Sequence, residues 1–133
     1  MKIDYLADHA DAIPTLAQWH HDEWKALTPT LTLDGRIARF RSRMGRLAVP
    51  CAFVAILTEA IAGAAFLVAQ DVENRNDLTP WLASVIVGPQ YRRRGVGSAL
   101  SGRVVEEASA IGFAKLYLVT TNKAPFYAHL GWT

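Results

Sequence analysis

The sequence predicts a single α/β (α+β) domain spanning residues 1–133, a mixed sheet flanked by helices. Two observations carry that expectation. Cys51–Leu57 and Ala62–Gln70 are neighbouring apolar runs joined by Thr58-Glu59-Ala60-Ile61, which reads as an antiparallel hairpin. Downstream, an apolar run at Val85, Ile86 and Val87 gives way to helical periodicity and then to a second strand pattern. Such a strand–helix–strand crossover makes its two strands parallel. The composition fits: 51% of residues are hydrophobic and 20% charged, a globular balance.

In chain order, Lys2–Leu6 is a short first strand. Asp8 or Asp11 can cap the helix that follows, with Pro14 tolerable in its first turn. Ile13, Leu16, Ala17, His20, Trp24 and Leu27 share one face of it, and Thr28-Pro29 ends it. His20-His21-Asp22-Glu23 lacks the His-Glu-x-x-His spacing of a metal site and reads as a solvated polar face. Thr32 or Asp34 caps a second helix with Leu33, Ile37, Phe40 and Met44 at helical spacing, stopped near Gly45. Its arginines, Arg36, Arg39, Arg41, Arg43 and Arg46, read as a solvated face. After the hairpin, Asp71–Leu78 is a polar loop leading to the central strand.

Gly88-Pro89 stops that strand, because proline gives no N–H to a ladder. The loop Gln90–Arg94 then opens a helix through Gly95-Val96-Gly97-Ser98, with Val96, Leu100, Val104, Ala108 and Ile111 on one face and Arg103, Glu106 and Glu107 on others. Ile111-Gly112 is its C-cap signal, and Lys115–Thr121 is the closing strand of the crossover. The first N–H groups of a helix lack internal partners and sit at the positive end of its dipole. Glycines at 95 and 97, with Arg92, Arg93 and Arg94 beside them, make this an anion site. It is not an ATP-type loop, since no lysine follows either glycine. Nor is it a dinucleotide fingerprint, since Leu100 stands where a third glycine is needed.

Net charge is only +2, so any positive potential is local, and no nucleic-acid partner is expected. A single cysteine excludes an internal disulfide framework, and Cys51 reads as an inert buried thiol. The N-terminus lacks the apolar core of a secretion signal and no apolar run is long enough to span a bilayer. A cytoplasmic protein without membrane partners is expected.

Arg92-x-x-Gly95-x-Gly97 resembles the Gln/Arg-x-x-Gly-x-Gly/Ala signature of the GNAT family of N-acetyltransferases. Asn122-Lys123-Ala124-Pro125-Phe126-Tyr127-Ala128-His129-Leu130-Gly131-Trp132 resembles that family's second motif, Asn, then Phe/Tyr-Tyr-x-x-Leu-Gly-aromatic, after the fifth strand. The resemblance implies a mostly antiparallel sheet whose central parallel pair splays to form a slot for acetyl-coenzyme A, used as co-substrate with no metal. By position, the backbone of Val85 and Val87 would pair with the pantetheine arm, and an N–H near Val85 or Ile86 would polarise the thioester carbonyl. Arg92, Arg93, Arg94, Gly95, Val96, Gly97 and Ser98 would hold the diphosphate, and Asn122 would reach the pantetheine or thiol region. Tyr127 is the catalytic candidate. Its phenol titrates near 10, so at neutral pH it keeps a proton to give to the thiolate that acyl transfer expels.

The chain departs from the family pattern in two ways. Trp81-Leu82-Ala83-Ser84 holds no glutamate where some members place a general base, leaving water, Asp77, Glu73, His20 or an acceptor that arrives already neutral. The sequence stops at Thr133, where members usually add a final strand pair. That leaves an open edge beside Lys115–Thr121, expected to reflect a truncation or to be covered by a partner such as a second copy in a homodimer. The implied function is acetyl transfer to a primary amine of a small molecule or peptide in a ternary complex. The alternative is a non-catalytic acyl-coenzyme A-binding or regulatory module.

Overall fold

The structure, a computed structural model, describes residues 1–69, 78–118, 123–129 and 131–132. The described residues form strands β1 (Lys2–Tyr5), β2 (Cys51–Leu57), β3 (Ala60–Val68) and β4 (Trp81–Val87), and helices α1 (Ile13–Trp24), α2 (Leu33–Arg41), α3 (Val96–Ile111) and α4 (Ala124–His129). The strands lie in the order β1-β2-β3-β4, each antiparallel to the next.

The sheet has helices on both faces, which is why β2 and β3 read as nearly unbroken apolar runs rather than as alternating ones. Successive residues still part to opposite sides. Ala52, Val54, Ala64 and Phe66 join Leu6, Ile13, Leu16 and Phe40 under α1 and α2. Phe53, Ala55, Ala65 and Leu67 join Val96, Leu100 and Val104 under α3. Each large side chain so buried is worth about 1.5–3 kcal/mol relative to exposure, which fixes the register of the sheet between its two helical layers.

The hairpin forms where expected, but through a tighter connection. Thr58 and Glu59 alone make the turn, both at positive φ (51° and 64°), the geometry that suits the twist of a hairpin. Neither residue favours that region, so the strand pairing on either side holds them there.

Several local expectations are corrected by packing. α1 stops at Trp24, so Leu27 is turned out and is 63% exposed. Neither Asp8 nor Asp11 caps α1, whose N-cap Ala12 makes no side-chain bond; Asp8 pairs instead with Arg46. Thr32 does cap α2, accepting from the Gly35 N–H at 2.9 Å. α2 ends at Arg41, short of Gly45. The arginine set is not uniformly solvated: Arg36 is fully buried, and the Arg43 guanidinium lies 5.0 Å from the centre of the Phe66 ring. Glu107 is buried too, accepting from the Tyr5 hydroxyl at 2.7 Å and the Leu47 N–H at 2.9 Å and pairing with Arg103 at 3.2 Å. Two of those partners come from distant segments and the third from the preceding turn of the same helix, which is how α3 can bury a carboxylate.

Gly112 ends α3 as expected, at φ 118°. Beyond it, the described part of Lys115–Thr121 is a single parallel bridge, Trp81 to Tyr117, in which the Leu82 N–H donates to the Tyr117 carbonyl at 2.8 Å. The parallel sense of the crossover is borne out at that point. The rest of the expected strand, and the edge expected beside it, lie outside the described residues.

Candidate active site

A cleft of about 660 Å³ opens between the end of β4, the start of α3, α1 and α4. β4 shapes its floor. Gly63 pairs with Val87 and Ala64 with Ile86, yet Phe66 pairs with Ala83, so Ser84 and Val85 together face the single residue Ala65. This is a bulge, and Ser84 sits at φ 53° within it. The extra residue breaks the ladder at Ser84 and Val85; Val85 and Val87 stay partly exposed on the cleft floor while Ile86 is buried.

The bulge is buttressed from α1. Arg36, buried beneath that helix, places NH1 2.6 Å from His20 Nδ1, while its Nε donates to His21 Nδ1 at 3.1 Å and its NH2 to Thr28 Oγ1 at 2.7 Å. A guanidinium can only donate, so His20 Nδ1 is the acceptor and Nε2 carries the hydrogen. Nε2 lies 3.2 Å from Ser84 Oγ and donates to it. Burial, and then the positive charge of Arg36, hold the His20 imidazole down at about 3. The polar face expected of His20 and His21 is thus a half-buried seat for an arginine, and His20, neutral at physiological pH with its acceptor nitrogen occupied, cannot act as a base.

After β4, Arg93 (φ 65°) and Gly95 (φ 76°) both lie in the left-handed region, folding the loop so that it enters α3 at Val96. A Cβ built on Gly95 meets nothing within 4 Å among the described residues, so its glycine serves the backbone angle. Gly88, at the other end of the loop, answers to crowding instead: a Cβ there would come within 2.6 Å of the Trp19 indole.

Of the residues singled out from sequence, Val85, Ile86, Val87, Arg92, Arg93, Gly95, Val96, Gly97, Ser98 and Tyr127 line this one cleft. Arg94 is exposed and does not line it. Asn122 lies outside the described residues, as do Glu73 and Asp77. Tyr127 is half-buried on α4, its ring 6.0 Å from that of Trp132, and burial raises its pKa above the ordinary tyrosine value. Cys51 is as inert as expected: burial pushes its thiol up to about 11.

The opposite wall was legible only in outline: the sequence offers Trp19 and Trp24 as core or pocket wall and the first two helices as the acceptor side, without singling out Glu23 or Tyr91. Trp19, Glu23 and Trp24 of α1, together with Tyr91 and Lys123, complete the lining. Glu23 Oε2 lies 3.4 Å from Arg92 NH2 across the mouth. The spacing of Trp19, Glu23 and Trp24 along one helix face was the available signal, but nothing local says that this face meets β4.

An antiparallel sheet bulged on its last strand, an arginine-glycine turn opening a long helix, and a tyrosine on a short terminal helix are the frame of an acetyltransferase domain. The chain belongs to the acetyltransferase (GNAT) family, whose profile matches residues 13–132. Among solved structures it is similar to an acetyltransferase of Trypanosoma brucei, at 25% identity and a TM-score of 0.70 over 99% of this chain and 92% of that one. It is also similar to the aminoglycoside N-acetyltransferase AAC(6')-Iy in complex with CoA (21% identity, TM-score 0.73, covering 99% and 87%). A transcriptional regulator from Bacillus halodurans has the same fold (18% identity, TM-score 0.74, covering 99% and 92%). No curated protein matches the sequence.

Proposed function

We propose that the chain is an acetyl-coenzyme A-dependent N-acetyltransferase that transfers to a primary amine by direct attack in a ternary complex. The observation that carries this reading is the meeting in one cleft of the bulged strand, the arginine turn with the α3 N-terminus, and Tyr127. When bound, the coenzyme supplies an activated acetyl thioester. The residues present fit it: Arg92 and Arg93 offer charge to a diphosphate, the first N–H groups of α3 at Gly97 and Ser98 offer donors, and no described residue fills the space over Gly95.

The main chain at Val85 stands where the ladder is broken, and an N–H near Val85 or Ile86 is the donor for charge developing on the acyl oxygen. Tyr127 holds its proton at Oη at neutral pH as a phenol ordinarily does, and burial raises its pKa further. The N–C bond would form first, placing charge on the acyl oxygen, and the C–S bond would break as that oxyanion collapses; Tyr127 would give its proton to the departing sulfur, the nitrogen would release one to water, and solvent would restore the phenol. The floor and walls hold the two reactants together, so few catalytic side chains are required.

The neutral, occupied His20 favours a second reading, a module that binds acyl-coenzyme A without turnover. Calorimetry with coenzyme A and thiol release across a panel of primary amines separate the two. Transfer is expected, with Tyr127→Phe lowering kcat by about 10²-fold or more while binding persists. Binding without thiol release from any amine would leave the second reading, and absence of binding would remove both.

A further inference from the structure

Acetyl transfer as described leaves one wall of the cleft without a task. Trp19, Glu23 and Trp24 of α1 face the same space as Val85 and Tyr127. Both indoles are held by packing: Trp19 against Gly88 at the end of β4, and Trp24 against the His20 ring, 4.7 Å between centroids. Glu23 is tied at its tip to Arg92 across the mouth, and both side chains remain about half exposed (45% and 57%). Two fixed indoles beside a carboxylate are suited to a cation with an apolar body, since ring faces attract positive charge and the carboxylate completes the pairing.

The pair with Arg92 gives this wall a condition. A diphosphate is the stronger partner for a guanidinium. Once it takes Arg92, Glu23 has lost its counter-charge and can accept another cation. That cation is not the reacting nitrogen, which must be neutral to attack a thioester. Arg93 and Lys123, also in the lining, disfavour a positive group on their side and direct it toward α1.

We propose that Glu23, flanked by Trp19 and Trp24, binds a second cationic nitrogen of a diamine-type acceptor after the diphosphate has drawn Arg92 away. This rests on the acetyl-transfer reading above, and names its acceptor class.

The test is calorimetric titration of the protein, first with coenzyme A and then, once saturated, with 1,4-diaminobutane or 4-amino-1-butanol, which differ only in the charged tail. The diamine should bind about tenfold more tightly than the amino alcohol. Glu23→Gln should abolish that preference while coenzyme A binds as well or about threefold better, Arg92 having lost its competitor. Glu106→Gln, exposed on α3, should change neither. Equal affinities, no diamine binding, or a preference that survives Glu23→Gln would overturn the proposal. So would a Glu23→Gln protein that lost coenzyme A binding as well, which would make Glu23 part of the scaffold. Failure of coenzyme A to bind the unaltered protein is seen before any amine is added, and removes the acetyl-transfer reading itself.

Discussion

Acid should loosen the seating of α1 on β4 at one ring. His20 is held down at about 3 in the folded chain, against an ordinary value of 6.5. Between those values an unfolded chain carries a proton that the folded one refuses, so the contribution is intact above about pH 6.5 and is lost as pH falls toward 3. Each tenfold change in proton affinity corresponds to about 1.4 kcal/mol. By about pH 4.5 two such steps are complete, an upper limit of about 2.7 kcal/mol, which the partial exposure of the ring reduces to about 2 kcal/mol. The measurement is urea unfolding of the unaltered protein and His20→Gln at about pH 7 and about pH 4.5. The unaltered protein should lose about 2 kcal/mol more than the variant across that interval. Other titrating groups, including Asp4 beside His9 and Asp8 beside Arg46, act in both proteins and cancel in the difference. Parallel losses would refute the reasoning, because they would mean that His20 is protonated at no cost to the fold.

Two further outcomes concern stability alone. Replacing Thr58-Glu59 by Asn-Gly supplies residues at ease with φ of 51° and 64°, and should raise Tm by about 4 °C; an unchanged or lower Tm in thermal unfolding would count against strain in the turn. Ser101 Oγ is buried on α3 with no hydrogen-bond partner among the described residues, so Ser101→Ala should stabilise by about 1 kcal/mol in urea unfolding. A loss of similar size would mean that the hydroxyl has a partner.

The parts of the fold legible in the sequence are those that a local pattern determines. The face of α3 formed by Val96, Leu100, Val104 and Ala108 is buried as its periodicity predicts, and the floor strand and glycine turn stand where Val85–Val87 and Gly95 place them. What stayed hidden depends on contacts between distant segments. Arg36 reads as one of five surface arginines, because its burial is decided by His20, His21 and Thr28 on another element. Glu107 reads as solvated until Tyr5 and Leu47 arrive to satisfy it. The bulge at Ser84 has no glycine to announce it, and the α1 wall of the cleft exists only once that helix is docked on β4. Arg94, adjacent to two lining residues, was indistinguishable from them by sequence and differs only in the direction the turn gives it.

The buried guanidinium of Arg36 bears on how firmly the first two helices are joined. It holds both histidines of α1 and, through Thr28 Oγ1 and the Leu31 carbonyl, the connection between α1 and α2. Swinging that connection aside would strip a desolvated cation of its acceptors, at several kcal/mol. The α1–α2 connection is therefore pinned by a buried charge, whereas the Glu23–Arg92 pair at the cleft mouth joins two half-exposed side chains, an ion pair of the kind that costs little to separate.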